Sequence, residues 1–205
     1  MPAPYWIRAK RALARADPVL ARIISEHPRI ALEPRGEPFH TLARSIVGQQ
    51  ISVKAAASIW GRVCEVAPRM HPEEIAGART AKLRACGLSE RKAEYLADLA
   101  GHFIDGTLHT AAWQRMDDEA VIAELVQVRG IGRWTAEMFL MFNLLRPDVL
   151  PLADLGLQKA IRVHYFKGRK VSLRTMRRVA QGWAPWRSVA TWYLWRSLDP
   201  IPVEY

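Results

Sequence analysis

The sequence contains little of what disulfide-rich, metal-binding or membrane-spanning proteins require. Its two cysteines, Cys64 and Cys86, form neither a disulfide framework nor a metal-binding pattern. No apolar run approaches the roughly 18 residues of a membrane span, and the N-terminal stretch lacks the apolar core of a signal peptide. These absences predict a protein of a reducing, intracellular compartment, the cytoplasm, associated with the nucleoid if the source is bacterial.

Several common enzyme signatures are also absent from the sequence. The six histidines occur in no HxxxH pattern and in no HxE pattern with a matching CxxC, so the sequence carries no metal-hydrolase or zinc-deaminase signature. There is no Walker A loop and no GxSxG motif. Any catalysis must therefore use another arrangement of side chains.

Acidic residues are too few to balance the basic ones. There are 20 Asp and Glu against 30 Lys and Arg, which gives a net charge of +10 and a pI of about 10.1. A basic surface favours a polyanionic partner, and nucleic acid is the first expectation. The alternative is a basic protein that binds none, and we interpret Lys167, Arg169 and Lys170 as a solvated loop.

Strand-like alternation is scarce, whereas helix start signals are frequent. Helix N-caps are predicted at five positions: Asp17, Ser52, Ser89, Asp117 and Ser172. The range 134–145 is nearly apolar on all sides, which predicts a buried central helix. We therefore predict an all-α fold of about ten helices, with residues 1–205 forming one compact domain.

The stretch from Leu125 to Ala136 reads LVQVRGIGRWTA and lies between two helical patterns. Glycine permits the positive φ of a tight turn and lets a backbone approach a ligand closely. Bare N–H groups at a helix start suit a phosphate. Gly130, Gly132 and Arg133 thus predict a helix–hairpin–helix that holds a nucleic-acid backbone without reading its sequence.

Three motifs in order give the chain a family resemblance. GIGRWTA is followed by a single aspartate in PLADLGL, Asp154, and then by PWRSVATWYLW. This order resembles the helix–hairpin–helix DNA glycosylases with a downstream catalytic aspartate, most closely the 3-methyladenine DNA glycosylase II family, over residues 17–198. The resemblance implies a core of two helical lobes with the active-site cleft between them. Longer members of the family carry an N-terminal β domain, and many relatives carry a cysteine-rich iron–sulfur cluster domain. We expect neither here, because helical patterns begin almost at once and the cysteine pattern is missing.

The resemblance implies that Asp154 is catalytic. Its alternative role is that of an N-cap, and the two roles are compatible. A helix N-terminus favours the ionised carboxylate. Cleavage of an N-glycosidic bond builds positive charge on the sugar, which a fixed carboxylate stabilises while it orients the attacking water.

The resemblance also implies a base pocket formed by Trp134, Met138 and Trp195. A base alkylated at a ring nitrogen is cationic, and an indole face attracts a cation. Met138 stands where relatives often have Tyr, and it cannot donate a hydrogen bond. Trp134 occupies the position at which bifunctional relatives carry a nucleophilic lysine, so we expect a monofunctional enzyme. For the other aromatics near the C-terminus we favour packing: Trp183, Trp186, Trp192 and Tyr193.

The remaining roles that the resemblance implies concern DNA. Gln50 is expected to be the wedge that fills the space of a flipped base, with Gln49 turned inward. The predicted backbone contacts are Gly130, Gly132, Arg133, Arg91, Lys92 and Arg187, and Arg187 is alternatively a support of the site. Carbonyls near Val126, Val128 and Gly130 are expected to hold a monovalent cation; otherwise no cofactor is predicted.

These features predict a monofunctional glycosylase, a monomer by default, that removes alkylated purines of the 3-methyladenine and 7-methylguanine type from damaged duplex DNA. One alternative is a glycosylase of the same fold for deaminated, etheno or mismatched bases. The other is a helix–hairpin–helix module that binds DNA without cutting.

Overall fold

A computed structural model describes residues 2–198, and all regular secondary structure in this part of the chain is α-helical. Its twelve helices are α1 Trp6–Ala16, α2 Pro18–Glu26, α3 Pro38–Gly48, α4 Val53–Val66, α5 Pro72–Gly77, α6 Thr80–Ala85, α7 Glu90–Ile104, α8 Asp118–Leu125, α9 Arg133–Phe142, α10 Leu155–Phe166, α11 Leu173–Gln181 and α12 Arg187–Leu198. The all-α prediction is confirmed. Within residues 2–198, no helix combines the length and the apolarity needed to cross a bilayer.

Five helices begin at the caps that the sequence predicts. The Asp17 carboxylate accepts the backbone N–H groups of Val19 and Leu20. The side chains of four more predicted caps each accept a backbone N–H of the helix that follows: Ser52, Ser89, Asp117 and Ser172. Such bonds satisfy donors that the first turn of a helix leaves without a partner.

Two features of the helices differ from the prediction. Helix α1 was not predicted, because its basic face dominates the pattern, yet Trp6, Ala9 and Leu13 form a buried stripe on it. Helix α9 ends at Phe142, before the predicted Leu145, which has a positive φ of 53°. The predicted burial is confirmed, since every residue from 135 to 142 is buried.

The chain divides into two compact units, and the boundary falls inside α9. The hairpin unit comprises residues 35–139, in which α3 packs against α4 and α7, and α7 also packs against α5 and α6. The aspartate unit comprises residues 2–34 and 140–198, in which α12 packs against α1, α2 and α10. The hairpin unit carries the glycine turn, and the aspartate unit carries Asp154.

Candidate active site and DNA-binding hairpin

The predicted helix–hairpin–helix is formed by α8, the turn at residues 126–132, and α9. Gly130 has a φ of +85°, and a Cβ added there would overlap the ring of Tyr95 on α7. Both the conformation and the lack of space exclude other residues at this position. Gly130 therefore sets the course of the turn.

Gly132 plays a different part in the same turn. It is exposed, its φ lies outside the left-handed region, and an added Cβ would meet no heavy atom within 4 Å. Nothing inside the protein requires glycine here. The bare surface instead leaves room for a close approach from outside, at the N-terminus of α9.

The loop between α3 and α4 contains the two glutamines singled out as the wedge. The Gln49 side chain is half-buried, and its Nε2 donates to the carbonyl of Gly130 at 2.9 Å. Gln50 is exposed and has a φ of 58°. The expected inward and outward directions are confirmed, and the loop is fastened to the hairpin turn through Gln49.

Lys92 holds the same loop from α7. Its Nζ donates to the carbonyls of Val47 and Gln49, both at 2.7 Å. Burial lowers the pKa of this amine. The Lys92 ammonium group binds two carbonyl oxygens at the C-terminal end of α3, where a cation is favoured. This role differs from the predicted phosphate contact. Its neighbour Arg91 is exposed.

The basic side chains of the hairpin are ion-paired. The Arg133 guanidinium donates to Glu119 at 2.8 Å and to Glu137 at 3.1 Å, and its hydrogen bonds to Glu119 raise its pKa further. Arg129 donates to Glu94 at 2.9 Å. The charge of the predicted contact Arg133 is therefore balanced within the protein, which leaves backbone N–H groups as the main donors of the turn.

Glu137 was missed by the sequence analysis, because it interrupts an otherwise apolar helix without any motif. Only 7% of it is exposed. Burial raises the pKa of its carboxyl group, and the charge of Arg133 opposes that shift. The ion pair links Arg133, the first residue of α9, to Glu137 one turn later.

A cavity of about 440 Å³ lies in the hairpin unit beside the wedge loop. Gln50, Ile51 and Trp134 line it. Trp134 is half-buried at the start of α9, whereas Met138 one turn later is only 4% exposed. The structure thus brings the predicted wedge and one predicted base-pocket residue to the same cavity and leaves Met138 in the core.

Asp154 lies at the N-terminus of α10 in the aspartate unit. Its Oδ1 accepts the backbone N–H of Leu157 at 2.6 Å and the indole N–H of Trp195 at 2.8 Å, and 9% of the residue is exposed. Both hydrogen bonds fix the position of the carboxylate. The residue is an N-cap and, at the same time, a fixed negative charge.

Trp195 is 7% exposed, and its ring stacks on Phe142 at 6.2 Å. Its clearest polar contact is the hydrogen bond to Asp154, so it positions the carboxylate whatever else it contacts. Gly156 completes this cluster, because an added Cβ would lie 3.1 Å from Asp154 Oδ1 and 3.4 Å from the Trp195 ring. Phe142 and Gly156 were missed; the glycine directly after Asp154-Leu155 was the available signal.

Arg187 forms a two-pronged ion pair with Asp148, with both N–O distances at 2.7 Å. This geometry favours the interpretation of Arg187 as a support over that of a direct DNA contact. Three of the four aromatics interpreted as packing are enclosed: Trp183 and Tyr193 are fully buried, and Trp192 is 6% exposed. The fourth, Trp186, is half-buried.

Two of the three carbonyls expected around a cation already accept hydrogen bonds from within the chain. The Val128 carbonyl accepts the N–H of Ile131 at 3.1 Å, and that of Gly130 accepts Gln49. A carbonyl oxygen has a second lone pair. The cation therefore stays a prediction.

A helix–hairpin–helix is followed along the chain by an aspartate that caps a helix. This order of motifs is the one by which the sequence resembles the helix–hairpin–helix DNA glycosylases. Residues 43–185 match the family described as HhH-GPD superfamily base excision DNA repair protein. The chain belongs to this family, as its motifs predicted.

Individual relatives agree with the predicted enzyme class. The chain is 34% identical over 188 residues to a putative DNA-3-methyladenine glycosylase of Bacillus subtilis, covering 88% of this chain and 66% of the relative. It is 33% identical over 183 residues to DNA-3-methyladenine glycosylase 1 of Schizosaccharomyces pombe, covering 87% and 80%. A solved structure of the Schizosaccharomyces pombe 3-methyladenine DNA glycosylase in complex with abasic DNA has a TM-score of 0.79 at 32% identity, covering 97% of this chain and 98% of the other.

Proposed function

We propose that this protein is a monofunctional DNA glycosylase that excises alkylated purines of the 3-methyladenine and 7-methylguanine type from duplex DNA. The observation that carries the proposal is the environment of Asp154. Its carboxylate is almost fully buried and accepts two N–H donors at a helix N-terminus. A carboxylate held in this way does not have to reorganise when positive charge develops next to it.

In the proposed reaction, the bond between the base and the anomeric carbon breaks and the sugar acquires oxocarbenium character. Asp154 stabilises that charge and orients the attacking water. A purine alkylated at a ring nitrogen already carries positive charge and leaves as a neutral base. The reaction therefore needs little acid catalysis.

The absence of a suitable lysine supports hydrolysis over lyase chemistry. Trp134 follows the hairpin, and the sequence has no lysine between Lys92 and Lys159. The Lys92 amine donates to two loop carbonyls. With Trp134 in place of the lysine, the position after the hairpin offers no amine to form a Schiff base with the sugar. In this proposal water is the nucleophile, and the product is an abasic site in an intact strand.

DNA recognition in this proposal uses the hairpin unit. The N–H groups at the start of α9 hold a phosphate beside Gly132, and Gln50 enters the minor groove where the base leaves the stack. The face of Trp134 then attracts the cationic base. The cavity that Trp134 shares with Gln50 and Ile51 supports this division of roles.

The test is single-turnover release of bases from methylated duplex DNA, with strand breaks scored before and after alkali. We expect methylpurine release and breaks only after alkali. Breaks without alkali, or trapping of the protein on DNA by borohydride, would contradict the monofunctional mechanism. DNA binding with no base release would contradict the assigned substrate class.

A further inference from the structure

The positive charge of this protein is concentrated in one part of the chain. Residues 155–198 contain ten Lys and Arg and no Asp or Glu. Six of the ten are exposed side chains in the loop after α10 and on α11: Lys167, Arg169, Lys170, Arg174, Arg177 and Arg178. We refer to these six residues as the basic face.

Helix geometry places three of these arginines together. Arg174, Arg177 and Arg178 are spaced by three and four residues, which puts them side by side on one side of α11. Met176 and Ala180 form the opposite, buried side of the helix. The three guanidinium groups therefore all point away from the core.

The charges of the basic face are not neutralised within the described chain. Across residues 2–198, none of the six side chains forms an ion pair, and Arg169 donates only to the carbonyl of Phe166. By contrast, Arg133 and Arg187 each form an ion pair with a carboxylate. The basic face is thus a set of cations without counterions among residues 2–198.

This arrangement is unfavourable for the helix on its own. Arg174 lies in the first turn of α11, where the helix dipole disfavours a cation. Arg174 and Arg178 are like charges four residues apart, which also disfavours the helix. A polyanion at this face would relieve both repulsions, and unfavourable local choices of this kind are typical of functional surfaces.

We propose that the basic face binds the phosphate backbone of undamaged duplex DNA, without reading sequence, and provides non-specific affinity. The proposal rests on the proposed function only in taking DNA as the partner. Residues 167–182 contain no aromatic side chain, whereas proteins that bind single strands stack bases on aromatic rings. The composition therefore fits phosphates of a duplex rather than unpaired bases.

The test compares two triple variants by their affinity for an undamaged duplex across a salt series. Arg174→Gln, Arg177→Gln and Arg178→Gln together remove three charges from the basic face. Arg11→Gln, Arg15→Gln and Arg29→Gln remove three exposed charges from the same unit. The slope of log K against log salt is negative, and each lost phosphate contact reduces its magnitude by about 0.9. We therefore expect the magnitude to fall by about 2 to 3 for the first variant and to change little for the second.

The triple variant with Lys in place of Arg at positions 174, 177 and 178 should keep the parent slope, because it keeps the charge. An unchanged slope in the Gln variant, or an equal decrease in the control variant, would overturn the proposal. The proposal would also be overturned if the Gln variant lost the parent's binding to phosphatidylserine vesicles but kept its DNA affinity. Methylpurine release is measured separately, so loss of the proposed activity and loss of this surface give different results.

Discussion

The two units of the molecule differ most in charge. The hairpin unit, residues 35–139, has 13 basic and 13 acidic side chains and is formally neutral. The aspartate unit, residues 2–34 and 140–198, has 17 basic and 5 acidic side chains, a formal charge of +12. The unit with the DNA-binding motif is thus the one without net charge.

This difference separates two ways of binding a polyanion. In the hairpin unit, positive Arg133 and Arg129 are paired with carboxylates, and the turn offers backbone N–H groups whose positions are set by Gly130. Such a site depends on geometry. In the aspartate unit, exposed cations offer attraction that depends on salt and tolerates imprecise positions.

The largest effect is expected at the one carboxylate of the aspartate unit that we assign to chemistry. Asp154→Asn keeps an oxygen that accepts the N–H groups of Leu157 and Trp195, so folding and DNA affinity should be preserved. It removes the negative charge beside the reacting sugar. We expect single-turnover base release to fall by about 100-fold or more.

The matched control is Asp17→Asn, which changes another N-cap of the same unit. The Asp17 carboxylate accepts the Tyr165 hydroxyl at 2.7 Å and the Trp183 indole N–H at 3.1 Å. These two donors share Oδ2, whereas Oδ1 accepts the N–H groups of Val19 and Leu20. The single oxygen of an amide cannot accept both sets of donors, so the melting temperature should fall while base release by the folded protein is unchanged. Equal losses of activity in the two variants would count against a chemical role for Asp154.

The next effect tests whether the hairpin unit depends on backbone geometry. Gly130→Ala adds a Cβ at a positive φ and against the Tyr95 ring, which should destabilise the protein by about 2 to 3 kcal/mol. Gly132→Ala meets no neighbour, and its unfolding free energy should change by less than about 0.5 kcal/mol. Chemical denaturation gives both values.

DNA affinity distinguishes the two glycines in the opposite direction. In the proposed complex the methyl group that Gly132→Ala adds would face the phosphate, so this variant should bind abasic duplex DNA more weakly although its stability is intact. Unchanged binding by a stable Gly132→Ala protein would show that the exposed surface of the turn does not contact DNA.

A smaller effect is expected at Lys92, which tests whether a lysine of the neutral unit acts as a structural group. Lys92→Met removes the donors to Val47 and Gln49, and we expect a loss of about 1 to 2 kcal/mol in stability. Amide hydrogen exchange in the loop after α3 should accelerate. The salt slope of DNA binding should change little, in contrast to the arginines of α11.

Lys54→Met is the control for this variant, since Lys54 is exposed on α4 of the same unit. It should change neither stability nor loop exchange. If Lys92→Met lowered the salt slope by about 0.9 without affecting the loop, Lys92 would be the phosphate contact that the sequence suggested.

What could be predicted from the sequence was mostly local. The caps at Asp17, Ser52 and Ser89 are recognisable because a cap and its helix are adjacent in the chain. The hairpin was recognisable because its glycines lie between two helical patterns. The burial of α9 followed from its apolar composition alone.

What could not be predicted were contacts between distant positions. Trp195 donates to Asp154 across 41 residues, and Lys92 reaches carbonyls more than 40 positions earlier. No local pattern indicates which direction such a side chain takes. For Trp195, the motif indicated an aromatic side chain near the site, and only the structure shows its indole N–H bound to the carboxylate.

The smallest effect is expected from pH, at His164 in the positively charged unit. Arg22 Nη2 lies 3.2 Å from His164 Nδ1, and Nε2 lies 2.7 Å from the Ser197 hydroxyl. Burial lowers the pKa of His164, and the charge of Arg22 lowers it further. The folded state therefore binds this proton less readily than the unfolded state, in which the pKa is about 6.5.

The sign of the effect follows from this difference. The contribution is fully present above about pH 6.5 and is lost as the pH falls through the lower folded-state pKa. His164→Gln should therefore flatten the dependence of unfolding free energy on pH in this window.

His40 in the neutral unit provides the comparison, because burial and then Arg44 lower its pKa too. Raising salt from about 0.1 to about 1 M shortens the Debye length from about 10 to about 3 Å, and should reduce the effect of His164 more than that of His40. Equal responses to salt would mean that the excess charge of the aspartate unit does not act on its own titrating groups.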